Sequence, residues 1–343
     1  MTEPPRLTPL EEAPPTVPRA LHGLAMRSPL RFARRAAEVG WDLLANGVRD
    51  AFSPLQPRLL RDAPGRAPAQ GRAWGLYLHW SPDGSVSPMV RRQLALWRQE
   101  GFDLVFVSNA ALAEADWDAA AEDCCWRMQR ANTGRDFGAW RDAAALARAR
   151  LGAPPGELLL ANDSVLGPIR PLAPLVAAWR AGGEGLLGMT ESWGGGAHLQ
   201  SYAVLARGAG VAALLAHLAA YRDRRSKWRV VRDGEIGLSA RFREAGLPRQ
   251  ALFGYARACA AADAADRAVL GPRFAAPEAL LRLPLNPTHH LWRVLVEKMG
   301  FPYLKTELIR RNPGRLPGVA DWRALVPSGE LALIEDHLRR MGG

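Results

Sequence analysis

A single carboxylate stands where a buried strand is expected to end. Leu158-Leu159-Leu160-Ala161 is a short apolar run, and Asn162-Asp163-Ser164 follows it directly. Such a run is typical of a strand buried on both faces, and open α/β sheets hold ligands at the carboxyl ends of their strands. Two interpretations of Asp163 stay open: it belongs to a polar turn that caps the backbone, or it binds a divalent cation, Mn²⁺ or Mg²⁺.

A second polar cluster, Asn132-Thr133-Gly134-Arg135-Asp136, precedes a helix predicted for residues 137–150. The planar guanidinium of Arg135 suits a diphosphate, while Asn132 and Asp136 can hold the loop or contact a ribose. Alternatively, Arg135 and Asp136 only cap the helix. We expect ligand contact from this cluster.

Glu191 follows another predicted strand, residues 185–190, and is itself followed by Trp193, a run of three glycines and His198. Glycines permit close backbone approach or motion, and an aromatic face with polar neighbours suits a sugar. Glu191 and His198 are therefore site candidates, with a plain surface turn as the alternative. Gln200 lies in the next predicted strand, on the face opposite to the alternating apolar side chains.

The remaining candidates lie toward the carboxyl end of the chain. Asp233 and Glu235 precede a predicted helix at residues 240–245, where a carboxylate either acts as a base or only stabilises the helix dipole. Lys305, one of three lysines, either meets a phosphate or is a solvated charge. His289 and His290 are adjacent, a spacing that does not favour a zinc site.

The elements that position these residues alternate between strand and helix. Residues 74–80 and 103–108 are predicted strands, and residues 90–99 between them are a predicted helix. This alternation predicts an α/β fold with parallel strands and helical crossovers. Four segments are expected: a proline-rich disordered leader at 1–28, an amphipathic helix and Pro/Arg-rich linker at 29–72, the main domain at 73–315 and a helical C-terminal tail at 316–343.

The amphipathic helix has two interpretations. Trp41, Leu44, Val48 and Phe52 share one face at helical spacing, and the helix begins with several arginines. The apolar face either packs on the domain or anchors the chain to anionic lipid.

The composition of the chain restricts the classes of partner that it is expected to bind. The chain has 343 residues, 48% of them hydrophobic, and a net charge of +11, which favours nucleic acid, an anionic membrane surface or a phosphorylated substrate. No signature of a nucleic-acid-binding motif accompanies the charge, so no specific nucleic-acid partner is expected. With three cysteines in no disulfide or zinc pattern, no signal peptide and no apolar run of roughly 20 residues, we expect a cytoplasmic protein, in peripheral contact with the inner face of the cell membrane if the helix binds lipid.

Residues 74–315 resemble the rhamnan synthesis protein F family, which is similar to glycosyltransferases of the GT-A type. The matching stretches are Asn132-Thr133-Gly134-Arg135-Asp136 with Trp140, Asn162-Asp163-Ser164 with Gly167-Pro168, His198-Leu199-Gln200-Ser201-Tyr202, Glu235-Ile236-Gly237-Leu238-Ser239, and Asn286-Pro287 with Lys305, Glu307, Asn312 and Pro313. The resemblance implies a GT-A-like sheet that binds a nucleotide-sugar donor.

The resemblance also implies a function and roles for the candidates. The function is an inverting glycosyltransferase that moves a sugar, such as rhamnose, to a cell-surface polysaccharide or lipid-linked glycan. Asp163 would bind the cation, although Asn162-Asp163-Ser164 has one acid where GT-A sites usually have two, and Glu235 would be the base, with Asp233 and Glu191 as alternatives. The substrate would contact Asn132, Arg135, Asp136, Asn162, Ser164, His198, Gln200 and Lys305. The alternative function is a non-catalytic carbohydrate-binding or assembly subunit.

Overall fold

A ten-stranded sheet forms the centre of the protein in our computed structural model, which describes residues 6–10, 28–52 and 58–342. The strands are, in chain order, β1 (Thr8–Pro9), β2 (Leu59–Pro64), β3 (Trp74–His79), β4 (Asp103–Ser108), β5 (Trp126–Arg130), β6 (Glu157–Asn162), β7 (Val165–Leu166), β8 (Gly185–Ser192), β9 (His198–Leu199), β10 (Ala203–Arg207), β11 (Arg249–Phe253) and β12 (Leu304–Lys305). The sheet order is β1-β11-β8-β10-β6-β3-β4-β5-β2, with β9 beside β8; β7 and β12 form a separate pair.

The centre of the sheet contains two blocks of parallel strands. Strands β6, β3, β4 and β5 form one parallel block, and β8 and β11 form another. Strand β10 lies between the blocks and is antiparallel to both of its neighbours. The α/β class predicted from the alternation of strands and helices is confirmed.

Helices cover both faces of the sheet. They are, in chain order, α1 (Pro29–Phe52), α2 (Pro88–Gln99), α3 (Glu114–Ala120), α4 (Arg135–Leu151), α5 (Ala173–Ala181), α6 (Ala209–Ala220), α7 (Lys227–Val230), α8 (Gly237–Glu244), α9 (Tyr255–Ala261), α10 (Ala264–Leu270), α11 (Ala279–Arg282), α12 (Pro287–His290), α13 (Thr306–Arg311) and α14 (Ser328–Arg340). A π-helical turn, Val231–Ile236, joins α7 to α8, and another spans Val294–Lys298.

Two apolar cores result, one on each face of the sheet. In β3 the side chains of Trp74, Leu76 and Leu78 enter the core beneath α4, α6 and α8, while Tyr77 enters the core beneath α2 and α5. Successive side chains of a strand point to opposite faces, so a strand covered on both sides must be apolar throughout. This explains the uninterrupted apolar run that predicts β6.

Both edge strands lie where disorder or a linker is expected. In the predicted leader, Thr8–Pro9 pairs with β11 and Leu10 is buried; residues 1–5 and 11–27 lie outside the described residues. In the predicted linker, β2 pairs with β5, and residues 53–57 lie outside the description. The prolines that suggest irregular structure are compatible with strands here because edge strands tolerate a residue without an N–H donor.

The C-terminal segment is helical as predicted, but it is not a separate tail. Ile334 of α14 is fully buried in the same core as the sheet, and Nδ1 of His337 lies 2.8 Å from the hydroxyl oxygen of Ser87 at the start of α2. Residue 315 therefore does not end the folded unit.

Helix α1 forms where predicted, but its polar side faces the domain. Asp42 accepts a hydrogen bond from the Ser226 hydroxyl, and Asp50 accepts one from the backbone N–H of Arg225 at 2.9 Å. The helix thus packs on the domain, as one interpretation expects, but Trp41, Leu44 and Val48 of its apolar face are exposed. Among the helices described, none has both the length and the apolar character needed to cross a bilayer.

Candidate functional site

A cleft of about 830 Å³ lies at the carboxyl ends of the parallel strands. Trp80 follows β3, Asn109 follows β4, Asn132 lies just beyond β5 and Asp163 follows β6, and all four line the cleft. Parallel strands bring their carboxyl ends to one edge of a sheet, so residues distant in sequence meet there. The volume is in the range of cavities that hold small-molecule ligands.

Asp163 lies in the cleft and is held by the neighbouring strand. Its Oδ2 accepts a hydrogen bond of 2.8 Å from the backbone N–H of Trp80. Burial and, to a smaller extent, the nearby carboxylate of Asp136 raise the pKa of Asp163 to about 7. A carboxylate whose charge is disfavoured in this way gains from a nearby cation.

Asp136 is joined to the end of β6 by side-chain hydrogen bonds. Asn162 donates from Nδ2 to Oδ2 of Asp136 at 3.2 Å, and its Oδ1 accepts from the backbone N–H of Ser164 at 3.1 Å. Burial also raises the pKa of Asp136. The first turn of α4 and the end of β6 therefore form one polar floor.

Lys305 reaches this floor through the separate strand pair. Lys305 in β12 is opposite Val165 in β7, which places it beside the residues that follow β6. Its Nζ donates to the hydroxyl of Ser164 at 2.8 Å and lies 4.9 Å from the ring centroid of Tyr202. These contacts hold a positive charge beside the two carboxylates.

Arg135 enters the cleft from the start of α4 with an unusual backbone. Its φ is +50°, and that of the preceding Gly134 is +69°. A Cβ on Gly134 would lie 2.4 Å from Oδ1 of Asp223, so the close approach requires glycine. A left-handed arginine costs about 1–3 kcal/mol and is a type of strain that clusters at ligand sites. Its Nε donates to the carbonyl of Arg225 at 2.9 Å.

Glu235 faces the cleft from the π-helical turn between α7 and α8. Its Oε1 accepts from the hydroxyl of Ser201 at 2.8 Å and from the Ser201 N–H at 3.3 Å. Its Oε2 lies 3.7 Å from Nε2 of His198, whose Nδ1 is 2.6 Å from the carbonyl of Gly196. Because a carbonyl oxygen only accepts, Nδ1 of His198 carries a proton, and the two hydrogen bonds from Ser201 fix the Glu235 carboxylate.

Four candidates from the sequence, Glu191, His198, Gln200 and Asp233, do not line the cleft. Glu191 is 2% exposed and accepts at 2.6 Å from the N–H of Tyr255. Asp233 points to Arg224 and Arg232 at 2.8 and 2.6 Å. Gln200 is buried and donates to Asn286 at 3.3 Å, which ties the strand region to the segment before α12.

The cleft also has a basic rim that sequence analysis did not assign. Its members come from α1, α7, α13 and the loop before α7: Arg35, Arg49, Arg224, Arg225, Lys227, Arg310 and Arg311. Several of them have acidic partners, such as Glu307 at 3.1 Å from Lys227. The run Arg224-Arg225-Ser226-Lys227 is a cluster of basic residues that is visible in the sequence. The arginines of α1 and α13 join this cluster only through tertiary packing.

The carboxylates of the cleft fit a cation only if a bound ligand supplies further oxygen atoms. Within residues 6–10, 28–52 and 58–342, no group of three or more His, Cys, Asp or Glu side chains is arranged to hold a metal. Asp163 and Asp136 are nevertheless paired carboxylates in one cleft. Mg²⁺ is commonly held by one or two carboxylates together with substrate phosphates and water, which this arrangement permits.

The fold and the cleft define an α/β protein with parallel strands at the centre of its sheet and a ligand-sized site at the strand ends. No protein-family model matches the chain, and no solved structure matches it. The chain is similar to the protein named "Uncharacterized protein y4gN" of Sinorhizobium fredii (strain NBRC 101917 / NGR234), with 28% identity over 187 residues, which are 52% of this chain and 48% of that protein. The match therefore spans about half the length of this relative.

Proposed function

We propose that the cleft binds a nucleotide sugar and transfers the sugar to a hydroxyl group of a glycan. One observation carries the proposal: the carboxylates Asp136 and Asp163, the cations Arg135 and Lys305, and the acid Glu235 line one cleft at the ends of parallel strands. A diphosphate needs cationic contacts, and a transfer to a hydroxyl needs an acceptor for its proton. The cleft supplies both.

The donor diphosphate would lie between the start of α4 and Lys305. The N-terminus of a helix presents backbone N–H groups and a partial positive charge to a phosphate, and the Arg135 guanidinium adds a planar pair of donors. Asp163 and Asp136 would hold Mn²⁺ or Mg²⁺ on the same phosphates. When bound, such a cation stabilises the charge that develops on the departing diphosphate.

Glu235 is the base in this proposal. It takes the proton of the acceptor hydroxyl as that oxygen bonds to the anomeric carbon, while the bond from the anomeric carbon to the diphosphate oxygen breaks. The nucleoside diphosphate leaves with the electron pair, and the configuration at the anomeric carbon is inverted. The hydrogen bonds from Ser201 keep the carboxylate oriented toward the cleft.

The resemblance to the rhamnan synthesis protein F family makes the proposal more specific. It suggests a GT-A-like arrangement, rhamnose or a similar sugar as the transferred unit, and a cell-surface polysaccharide or lipid-linked glycan as the acceptor. A donor made in the cytoplasm would place the reaction on the cytoplasmic side of the cell membrane.

Release of nucleoside diphosphate from a panel of nucleotide sugars tests this proposal. The reaction would contain glycan acceptors and either Mn²⁺ or a chelator, with Asp163→Asn as the inactive comparison. We expect release from one donor, formation of a glycosylated product, and loss of both in the variant. Donor or glycan binding without product would instead identify a non-catalytic binding subunit, and full activity in chelator would exclude the cation.

A further inference from the structure

Helix α1 exposes a continuous apolar stripe on its outer side. Leu30, Trp41, Leu44 and Val48 are between 66% and 84% exposed, and the exposed Ala33 and Ala37 fill the gap between the first two. Their spacing of three or four residues places them on one side of the helix. We refer to these six residues as the outer stripe.

The orientation of α1 is fixed by polar contacts on its inner side. Asp50 forms an ion pair with Arg229 at 3.6 Å, and the Arg35 guanidinium lies 4.9 Å from the ring centroid of Trp228. The helix therefore cannot bury its outer stripe by rotation without breaking these contacts. An apolar helix face held toward solvent indicates a surface that is covered by something else.

The residues beside the outer stripe favour an anionic bilayer as the partner. The Arg34 side chain is 84% exposed and pairs with Glu38 at 3.3 Å, and Arg49 is exposed next to Val48. Helix α1 also contributes Arg35 and Arg49 to the basic rim of the cleft, and the whole chain carries a net charge of +11. Tryptophan and arginine on an apolar helix face suit the headgroup region, and basic side chains are drawn to anionic lipid.

We propose that α1 lies in the surface of an anionic membrane, with the outer stripe inserted among the acyl chains at the headgroup boundary. The proposal concerns a docking surface and does not depend on the transfer reaction. Its consequence is that the basic rim of the cleft lies beside the lipid headgroups. A substrate that is attached to lipid would then reach the cleft without leaving the membrane.

Flotation of the full chain with lipid vesicles tests the proposal. The vesicles would contain phosphatidylcholine alone or phosphatidylcholine with phosphatidylglycerol. The test variant is Trp41→Ser/Leu44→Ser/Val48→Ser, and the matched control is Val269→Ser/Leu281→Ser, which removes one exposed apolar side chain from α10 and one from α11. Thermal unfolding of each variant checks that it is folded.

We expect the wild type and the control to float with the anionic vesicles. The test variant should partition at least about tenfold less, because it loses most of the apolar area that enters the lipid. Absence of the wild type from both vesicle types would overturn the proposal. So would equal flotation of the test variant.

Light scattering after size exclusion distinguishes a second copy of the chain from the membrane. If the outer stripe is a dimer interface, the wild type is dimeric, the test variant is monomeric, and neither floats. That result would contradict membrane docking. The proposal requires that the wild type and the test variant are both monomeric, and that the wild type floats while the test variant does not.

Discussion

Two strand exits of the same sheet carry an acid, and they differ in what covers them. Asp163 follows β6 and opens into the cleft, whereas Glu191 near the end of β8 is sealed. Above β8, the short strand β9 pairs back onto it, and Glu191 accepts from Tyr255 N–H and Trp193 Nε1 at 2.6 and 3.3 Å. Above β6, the chain turns away into β7.

The difference shows that an acid at the end of a strand is not necessarily a functional residue. Its local sequence places it at the correct edge of the sheet, but the segments packed above it decide whether a ligand can reach it. At β8 the carboxylate satisfies buried donors and so stabilises the fold. At β6 the carboxylate keeps a raised pKa and an open face, which is typical of a functional position.

Asp233 and Glu235 show the same contrast, because one acid is paired with arginines and the other faces the cleft. We expect the largest effect of a substitution at Glu235. Glu235→Gln should lower turnover by about 10²–10⁴ because the proton acceptor is lost. Donor binding should be unchanged. Steady-state kinetics with Asp233→Asn as the control should show near wild-type turnover, since Asp233 faces Arg224 and Arg232. A larger loss in the control than in Glu235→Gln would contradict the assignment.

Alanine substitution at the two strand exits should separate their roles. Glu191→Ala leaves two buried donors without this acceptor, and each such donor costs about 1–3 kcal/mol in the free energy of unfolding. Measured near pH 4, where the folded Asp163 carboxyl is protonated, Asp163→Ala should have little effect on stability, because Trp80, whose N–H it accepts, is exposed. Denaturant unfolding of both variants measures this difference. Equal losses of stability would remove the distinction between the exits.

Gly234 and Gly237, two glycines near Glu235, differ in how closely other atoms pack against them. A Cβ on Gly234 would lie 2.3 Å from Cδ2 of Phe137, so Gly234→Ala should cost about 1–3 kcal/mol of stability. In Gly237→Ala the new Cβ meets its nearest atoms at 3.4 and 3.5 Å, which is ordinary contact, and helix propensity favours alanine. Thermal unfolding should show Gly237→Ala at or above the wild type; the reverse order would contradict the packing shown here.

The last prediction concerns the pH dependence of stability. The folded pKa of Asp163, about 7, lies above its usual value, so the folded state binds more protons and stability falls as pH rises from about 4 to about 7. Asp163→Asn lacks this loss and should exceed the wild type by at least about 1 kcal/mol near pH 8, since one pKa unit corresponds to about 1.4 kcal/mol. Unfolding curves across this range measure the difference. A difference that does not change with pH would show that the Asp163 pKa is not raised.

The sequence predicts those parts of the molecule that depend on local patterns. The apolar run of β6 predicts that Asp163 follows a strand, and the polar cluster before α4 predicts that Arg135 lies at the start of a helix, because strand ends and helix starts have local signals. The edge strands β1 and β2 were missed because their prolines indicate irregular structure, and an edge position is a property of the whole sheet.

Features that depend on tertiary packing could not be predicted. The spacing of Trp41, Leu44 and Val48 defines an apolar face but does not show whether the domain covers it. The basic rim likewise assembles from segments as distant as Arg49 and Arg310, and no local pattern joins them. The sealing of Glu191 by Tyr255 belongs to the same class.

A crystal structure with a nucleoside diphosphate and Mn²⁺ tests the central claim most directly, because it locates the donor without requiring the acceptor. The account predicts the diphosphate within hydrogen-bond distance of Arg135 and Lys305, with Mn²⁺ between its phosphates and Asp163. A diphosphate held by Arg310 and Arg311 at the rim, or a cleft that binds no nucleotide at all, would contradict it.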